Sequence, residues 1–543
     1  MLKSNTKAVI LFVLLLTNLL TAKNYYISPE GNDNNPGTLE LPFVTIQKAH
    51  DIAQPGDTLF LRGGKYYPTK QTVLSKKGNN LAYYVLRSYN GEIPVIDGKN
   101  IPVGNIEQGS TPTLVFSGAK YWKIEGPIII TNGRGAGILV DGGEFLDFTF
   151  IDCSYNGKQA SRAGHGFMVW IGNDIVFNNC DAHHNANHLW QKNENQKMNQ
   201  YQHGDGWRVF TGKDIRFTGC RSWNNLDDNY DFYGVTSPIE FADCWAAFAG
   251  KDDSTGSITG TPNSLMPRID GSNLLWGNGV KLGYNQDAVK HKVVRCITWG
   301  NNAAGFHMNL GPSSVINSVS YANRAFGIDY TDGIKHEFFN SWEYGNNYDN
   351  PNYMNAIPDL SLCSHNSWDN TIKVAITSDD FISLNDFGML GVRQPDGKLP
   401  ITSFLHLQNS SDLINAGINV GITFSGTAPD IGAFEFNDGT TGIRSINAQI
   451  LPNELYLCNY PNPFNPSTVV QYTMPRPGNV DLAVYDITGA KVSQLDYGYR
   501  KAGTYKLLWN ARDTNGCGVS SGVYFLSIHA GNIQRNTKIM YIK

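Results

Sequence analysis

The chain has 543 residues, 41% of them hydrophobic, enough to bury a large core and to build two to four domains. A formal net charge of −4 argues against nucleic acid or an anionic membrane surface as a bulk partner. Glycine and asparagine are abundant, and aromatic residues reach 12%, a richness common in extracellular carbohydrate-handling proteins.

At the N-terminus, Lys3 and Lys7 precede the apolar run "AVILFVLLLTNLL", followed by the small residues of "TAK". This is the pattern of a secretory signal peptide over residues 1–22, cut near Ala22 or Lys23. The run is too short for a comfortable membrane span and no later segment is long enough, so the mature chain is expected outside the cytoplasm, secreted or at the cell surface.

The next segments repeat. "IVFNNCDAHHN", "IRFTGCRSWNN", "VVRCITWGNN", "VINSVSYAN" and "HEFFNSWEYGNN" each place a β-rich run before a small residue (Cys180, Cys220, Cys296, Ser318, Ser341) and an asparagine five residues later (Asn185, Asn225, Asn301, Asn323, Asn346). Cys153 and Cys244 head similar segments without the matching asparagine. Most intervals are 22 to 27 residues. A period of that length with short β-runs predicts a solenoid, a parallel β-helix whose coils stack at about 4.8 Å. The asparagines then form a column that satisfies backbone groups at a bend, and Cys153, Cys180, Cys220, Cys244 and Cys296 read as interior packing residues with no metal-site spacing. The pair His183 and His184 reads as a solvated turn. Trp223, Trp245, Trp276 and Trp299 could stack on sugars, but rings that follow the cysteine column fit core or inter-coil packing better.

A second column lies before each small residue: Gly206-Trp207-Arg208, Asn229-Tyr230-Asp231, Gly279-Val280-Lys281, Gly305-Phe306-His307 and Gly327-Ile328-Asp329. If the middle residue points inward, the third points out, and one exposed face carries Arg, Asp, Lys, His and Asp in line. Asp205 precedes Arg208 by three residues, as Asp228 precedes Asp231. Asp205, Asp227, Asp228 and Asp231 are therefore expected to converge from neighbouring coils. Such a cluster is either a solvated turn or a site for a hard dication, and calcium, which takes oxygen ligands in irregular geometry, fits it better. Lys281 falls in the same column, after a Ser/Thr/Gly-rich insertion at 252–275. Beside a bound dication its pKa falls and it becomes a general base; without one it is an exposed lysine paired with an aspartate. Arg208 suits either a substrate carboxylate or an ion pair with an aspartate, and His307 lines the groove.

The order "GDGW", "NNLDDNYDFYG", "GNGVKLG", with an N-terminal "YYISPEGNDNNPGTLELPFVTIQKAHDIAQPGDTLFLRGGKYY", resembles family 9 of the polysaccharide lyases, the right-handed parallel β-helix pectate lyases. The resemblance runs from about residue 24 to 440. It implies calcium on Asp205, Asp227, Asp228 and Asp231, Lys281 as the base, and β-elimination on an acidic polysaccharide, polygalacturonate in pectin. The insertion at 252–275 departs from the compact family pattern and bears on sugar contacts.

After "FEFNDGTTGIRS", which makes 441–450 a linker, residues 451–543 alternate short strands with Pro, Gly and Asn turns, a small β-sandwich. "YPNPFNPST", "VYDITGAKV" and "GVYFLSIHAGNIQRNTKIMYIK" are similar to the C-terminal sorting domain of type IX secretion substrates, which implies that machinery as a partner. Cys458 and Cys517 could pair there. The fold expected is thus all-β, a right-handed parallel β-helix over 23–440 followed by the sandwich, in a monomer without a nucleic-acid partner. The function expected is a calcium-dependent pectate lyase. A calcium-stabilised adhesin or glycan-binding β-helix, or a lyase of another uronate polymer such as rhamnogalacturonan, would share most of these features; a lone base beside the metal suits an enzyme.

Overall fold

The computed structural model describes residues 22–102, 111–157, 164–186, 204–250 apart from 233 and 236, 277–283, 290–346 apart from 310 and 330–334, 363–436 apart from 370, 372 and 373, and 455–542 apart from 461–463, 475, 502 and 532. The segments read as signal peptide, linker and the 252–275 insertion, with Trp276, lie outside these residues, save Ala22.

Strands from Asn24 to Ser364 pair in parallel, each with its counterpart one coil away, and they line three faces. Sheet one contains Trp207–Val209, Tyr230–Asp231, Val280–Lys281, Phe306–His307 and Ile328–Asp329, successive partners in one ladder. Sheet two contains Gly212–Thr218, Ile239–Ala242, His291–Val294, Ser313–Ile316 and Glu337–Phe339. Sheet three contains Asp181–His183, Arg221–Trp223, Trp245–Ala247, Ile297–Trp299, Val319–Tyr321 and Trp342–Tyr344. This is the parallel β-helix the repeat predicts. A short helix, Ile46–Ile52, capped by the Thr45 side chain, packs Ile46 and Ala49 onto the first coils.

Each bend from sheet two to sheet three needs one residue in the left-handed region. Asn179, Gly219, Asp243, Arg295, Asn317 and Asn340 hold it, with φ between 46° and 63°. Gly, Asn and Asp tolerate that conformation best. Arg295 departs from that preference, as do Phe150 and His365 at the equivalent bends of other coils, and its guanidinium is held by both carboxylate oxygens of Asp243 on the coil before, each at 2.7 Å.

Equivalent side chains stack in the bore. Phe167, Trp207 and Tyr230 lie face to face with centroids 4.9 Å apart at each step. Phe148, Phe177 and Phe217 form a parallel stack at 5.1 and 4.9 Å. Cys180, Cys220, Cys244 and Cys296 form a buried column of free thiols, continued by Ser318 and Ser341. Cys153 is buried but stands outside that column. It pairs with Ala182, two residues further along. The column position of its coil is held by Ile151, and the matching asparagine, Asn156, follows it by the usual five residues.

The asparagine ladder is continuous. Asn156 Nδ2 donates to Asn185 Oδ1 (3.1 Å), Asn185 to Asn225 (3.0 Å), Asn301 to Asn323 (2.8 Å) and Asn323 to Asn346 (3.0 Å). The coil that has Ala249 in this position is bridged from below. Asn229 accepts from Asn225 at 2.9 Å and donates to Asn301 at 3.1 Å. Backbone groups at a buried bend need such partners, and the ladder supplies them.

Residues 374–436 hold little regular structure and cover sheet three. Their apolar side chains close a second core over Trp223, Trp245, Trp299 and Trp342. Arg393 and Arg221 both grip the buried Asp181, which ties this segment to the sheet. These tryptophans are packing residues. His183 and His184 do not form a solvated turn: His183 stacks on Trp223 at 4.1 Å and His184 on Tyr155 at 4.8 Å, because they end a sheet-three strand inside the stack.

Strands from Tyr456 to Tyr541 form separate antiparallel sheets of three and four strands around one shared core, a β-sandwich. Cys517 is an exposed free thiol, and the Cys458 side chain lies outside the described residues. Among the described residues no helix is long and apolar enough to cross a membrane.

Candidate active site

The outward column of sheet one is built as its register requires. Arg208 pairs with Asp231, Asp231 with Lys281, Lys281 with His307 and His307 with Asp329. The middle residues Trp207, Tyr230, Val280 and Phe306 are buried in the bore, which turns the third side chains out. His307 Nδ1 lies 2.9 Å from Asp329.

Asp205 and Asp228 enter their strands at the same position on neighbouring coils, and the Asp228 N–H donates to Asp205 Oδ1 at 3.0 Å. Carboxylate oxygens of Asp205, Asp227 and Asp228 all lie within 4.8 Å of one another. Asp231 stands further along its strand, and its Oδ2 is shared by Arg208 Nη1, in close contact, and Lys281 Nζ at 3.5 Å. Arg208 also reaches Asp205 at 3.4 Å, and Lys281 reaches Asp228 at 3.2 Å. Arg208 thus takes the ion-pair alternative.

Two residues not singled out in the sequence hold this cluster. Asn278 donates its N–H and its Nδ2 to Asp228 Oδ1, at 2.7 and 2.9 Å. His165 Nδ1 accepts from the Asp205 N–H and lies 3.2 Å from Asp205 Oδ2. The "GNG" before Lys281 was the available signal for Asn278, an amide three residues before the base, as Asp228 is before Asp231. His165 stands in register with Asp205 one coil earlier, and the Gly-aromatic pair that follows each, Gly166-Phe167 and Gly206-Trp207, was the available signal.

All four aspartates are buried, with Asp205 and Asp231 fully so. Among the described residues two cations, Arg208 and Lys281, stand against the four carboxylates, a formal excess there of two negative charges. Buried charge without compensation is expensive. A donor set of hard oxygens from two coils, with that excess, fits a divalent cation of the calcium type.

The field of the cluster also sets its protonation. Burial opposes the charge on Lys281, but the carboxylates of Asp228 and Asp231, with Asp227 and Asp205 behind them, outweigh it and hold the ammonium above its ordinary range. The fall expected beside a dication is therefore reversed where the aspartates act alone. Burial likewise opposes the Arg208 charge and is overcome by Asp231 and Asp205. Burial raises the Asp231 carboxyl, partly offset by Arg208 and Lys281.

Residues 25–347, more than half of the chain, match the family described as "Pel9A-like, right handed beta helix region", and residues 466–533 match the FlgD Ig-like domain. Pectate lyase L of Dickeya chrysanthemi is 29% identical over 458 residues, covering 78% of this chain and 93% of that one. Pectate lyase PEL9 of Emericella nidulans is 25% identical over 74% of this chain and 95% of its own length. The crystal structure of pectate lyase Pel9A superimposes with a TM-score of 0.59 at 27% identity, over 77% of this chain and 97% of that one. The chain belongs to the Pel9A-like right-handed β-helix family and is a polysaccharide lyase.

Proposed function

We propose that the chain cleaves pectate by β-elimination, with Lys281 as the base and calcium held by Asp205, Asp227, Asp228 and Asp231. The observation that carries this reading is an amine, Lys281 Nζ, 3.2 Å from Asp228 in a cluster of four buried aspartates. The relatives named as pectate lyases support the substrate.

The hydrogen on C5 of a uronate is weakly acidic, because removing it adds charge beside the C6 carboxylate. Calcium bound at the cluster would supply Lewis acidity toward that carboxylate and cancel the field that keeps Lys281 protonated. Lys281 Nζ, as the free amine, accepts the C5 proton. The electron pair left on C5 forms a double bond to C4, the bond from C4 to the glycosidic oxygen breaks, and that oxygen takes a proton from water. Arg208 holds Asp231 and Asp205 in place, and His307 borders the groove. A hydrolase would need a protonated carboxylic acid at the leaving oxygen. Asp228 and Asp231 are instead engaged by cations.

In the same reading, residues 1–22 are a signal peptide, 23–440 the lyase domain, 441–450 a linker and 451–543 a sorting domain for type IX secretion. The Ig-like sandwich supports its standing as a separate module. The chain then works outside the cell as a monomer.

The test is incubation with polygalacturonate, with calcium and with chelator. Ultraviolet-absorbing unsaturated ends that need calcium are expected. Reducing ends without that absorbance would show hydrolysis, and absorbance only from rhamnogalacturonan would change the polymer.

A further inference from the structure

Two aromatic rings stand beside the charged column of sheet one. Trp170 and Phe210 directly follow Val169 and Val209, which pair across neighbouring coils. Phe167–Val169 pairs in register with Trp207–Val209, and the Phe210 N–H donates to Val169 O. The Trp170 and Phe210 rings therefore meet, with centroids 4.5 Å apart and planes tilted by 46°. Trp170 is 47% exposed, whereas Trp122, Trp207, Trp223, Trp245, Trp299 and Trp342 of the same β-helix are buried.

This ring is continuous with the charged site. The Arg208 guanidinium lies over the Phe210 ring, 4.8 Å from its centre. Arg208 in turn holds Asp231, which Lys281 shares. One run of contacts thus joins a half-exposed indole to the amine.

We propose that Trp170, propped by Phe210, is a sugar-stacking subsite that holds a further uronate residue of the bound polymer, on the side of Arg208 away from Lys281. The proposal rests on the uronate-lyase reading. A galacto-configured ring gathers the C–H bonds of C3, C4 and C5 on one face, and that face suits the electron-rich indole. Trp170 touches no reacting atom, so its contact is equal in ground and transition states. Its loss raises KM and leaves kcat alone.

The experiment uses the full chain with Trp170→Ala and Trp170→Phe. Polygalacturonate kinetics are measured in calcium, and binding of saturated oligogalacturonates is measured by calorimetry with Lys281→Ala added so that no ligand is consumed. Trp170→Ala is expected to raise KM and the oligosaccharide Kd about five- to tenfold, with kcat within about twofold, and Trp170→Phe to recover most of the loss. Melting temperatures report that each variant is folded, and Trp170→Phe, which keeps the bulk, still gives a reading if the alanine variant is damaged. KM and Kd within about twofold of native in Trp170→Ala would overturn the subsite. Binding that depends on Trp170 without any unsaturated product would keep the subsite and sink the lyase reading. Unsaturated product at native KM from Trp170→Ala would do the reverse.

Discussion

Replacing Asp228 with Asn keeps the shape of the side chain and removes one charge from the middle of the cluster. The amide oxygen can keep both bonds from Asn278, at 2.7 and 2.9 Å. The amide nitrogen then takes the place of the oxygen that lies 3.2 Å from Lys281 Nζ, and two donors face each other. Among the described residues the formal excess falls from two negative charges to one. At an effective dielectric of about 20, unit charges about 4 Å apart interact by about 4 kcal/mol, so a dication loses at most about 8 kcal/mol of attraction. Water admitted in place of the ligand reduces this toward the ~3 kcal/mol typical of breaking a buried charge pair. A loss of ~3 kcal/mol is a factor on the order of 100 in Kd. Calorimetric titration of Asp228→Asn with calcium is expected to show that weakening. Melting should separate the two roles of the charge: the variant melts below the native chain in calcium and at or above it in chelator, where relief of the excess charge helps. A calcium Kd within about fivefold of native, in a variant that folds, would refute the placement of the cation here.

Three further outcomes follow from the packing. Asn225→Ala removes the acceptor for the Asn185 N–H and Nδ2 and the donor to Ala182 O, all buried, and is expected to cost about 3–5 kcal/mol in chemical denaturation. His291, His336 and His406 are each pushed down to about 4 by burial. The unfolded chain protonates them below about pH 6.5, so their contribution is complete above that pH and is lost as pH falls toward 4, at up to about 1.4 kcal/mol per pH unit each; melting at neutral and acid pH should trace it. A thiol reagent should label Cys517 at once and Cys153, Cys180, Cys220, Cys244, Cys296 and Cys363 only on unfolding, as counted by intact mass.

The coil architecture was legible because stacking repeats one environment at each turn. A column of asparagines or small residues survives even where little else does. The three-residue offset from Asp205 to Arg208 and from Asp228 to Asp231 placed the acids together for the same reason. Asn156 escaped because Cys153 stands two residues past the column position of its coil, which misplaces the count, and Asn229 because it fills a slot that belongs to the next coil. The covering segment 374–436 has no period, and its anchor, Asp181 between Arg221 and Arg393, joins residues about 210 apart. Trp170 sits at an irregularity of the strand between Val169 and Ile171, where alternation no longer tells which way a side chain faces. The charge state of Lys281 depends on acids from other coils, a sum that no local pattern reports.

The measurement that bears most directly on the chemistry is made on Lys281→Ala. In calcium the native chain should release unsaturated ends from polygalacturonate, and the variant should bind calcium yet release them about 10²- to 10⁴-fold more slowly. A variant that eliminates at the native rate would contradict the assignment of Lys281 as the base.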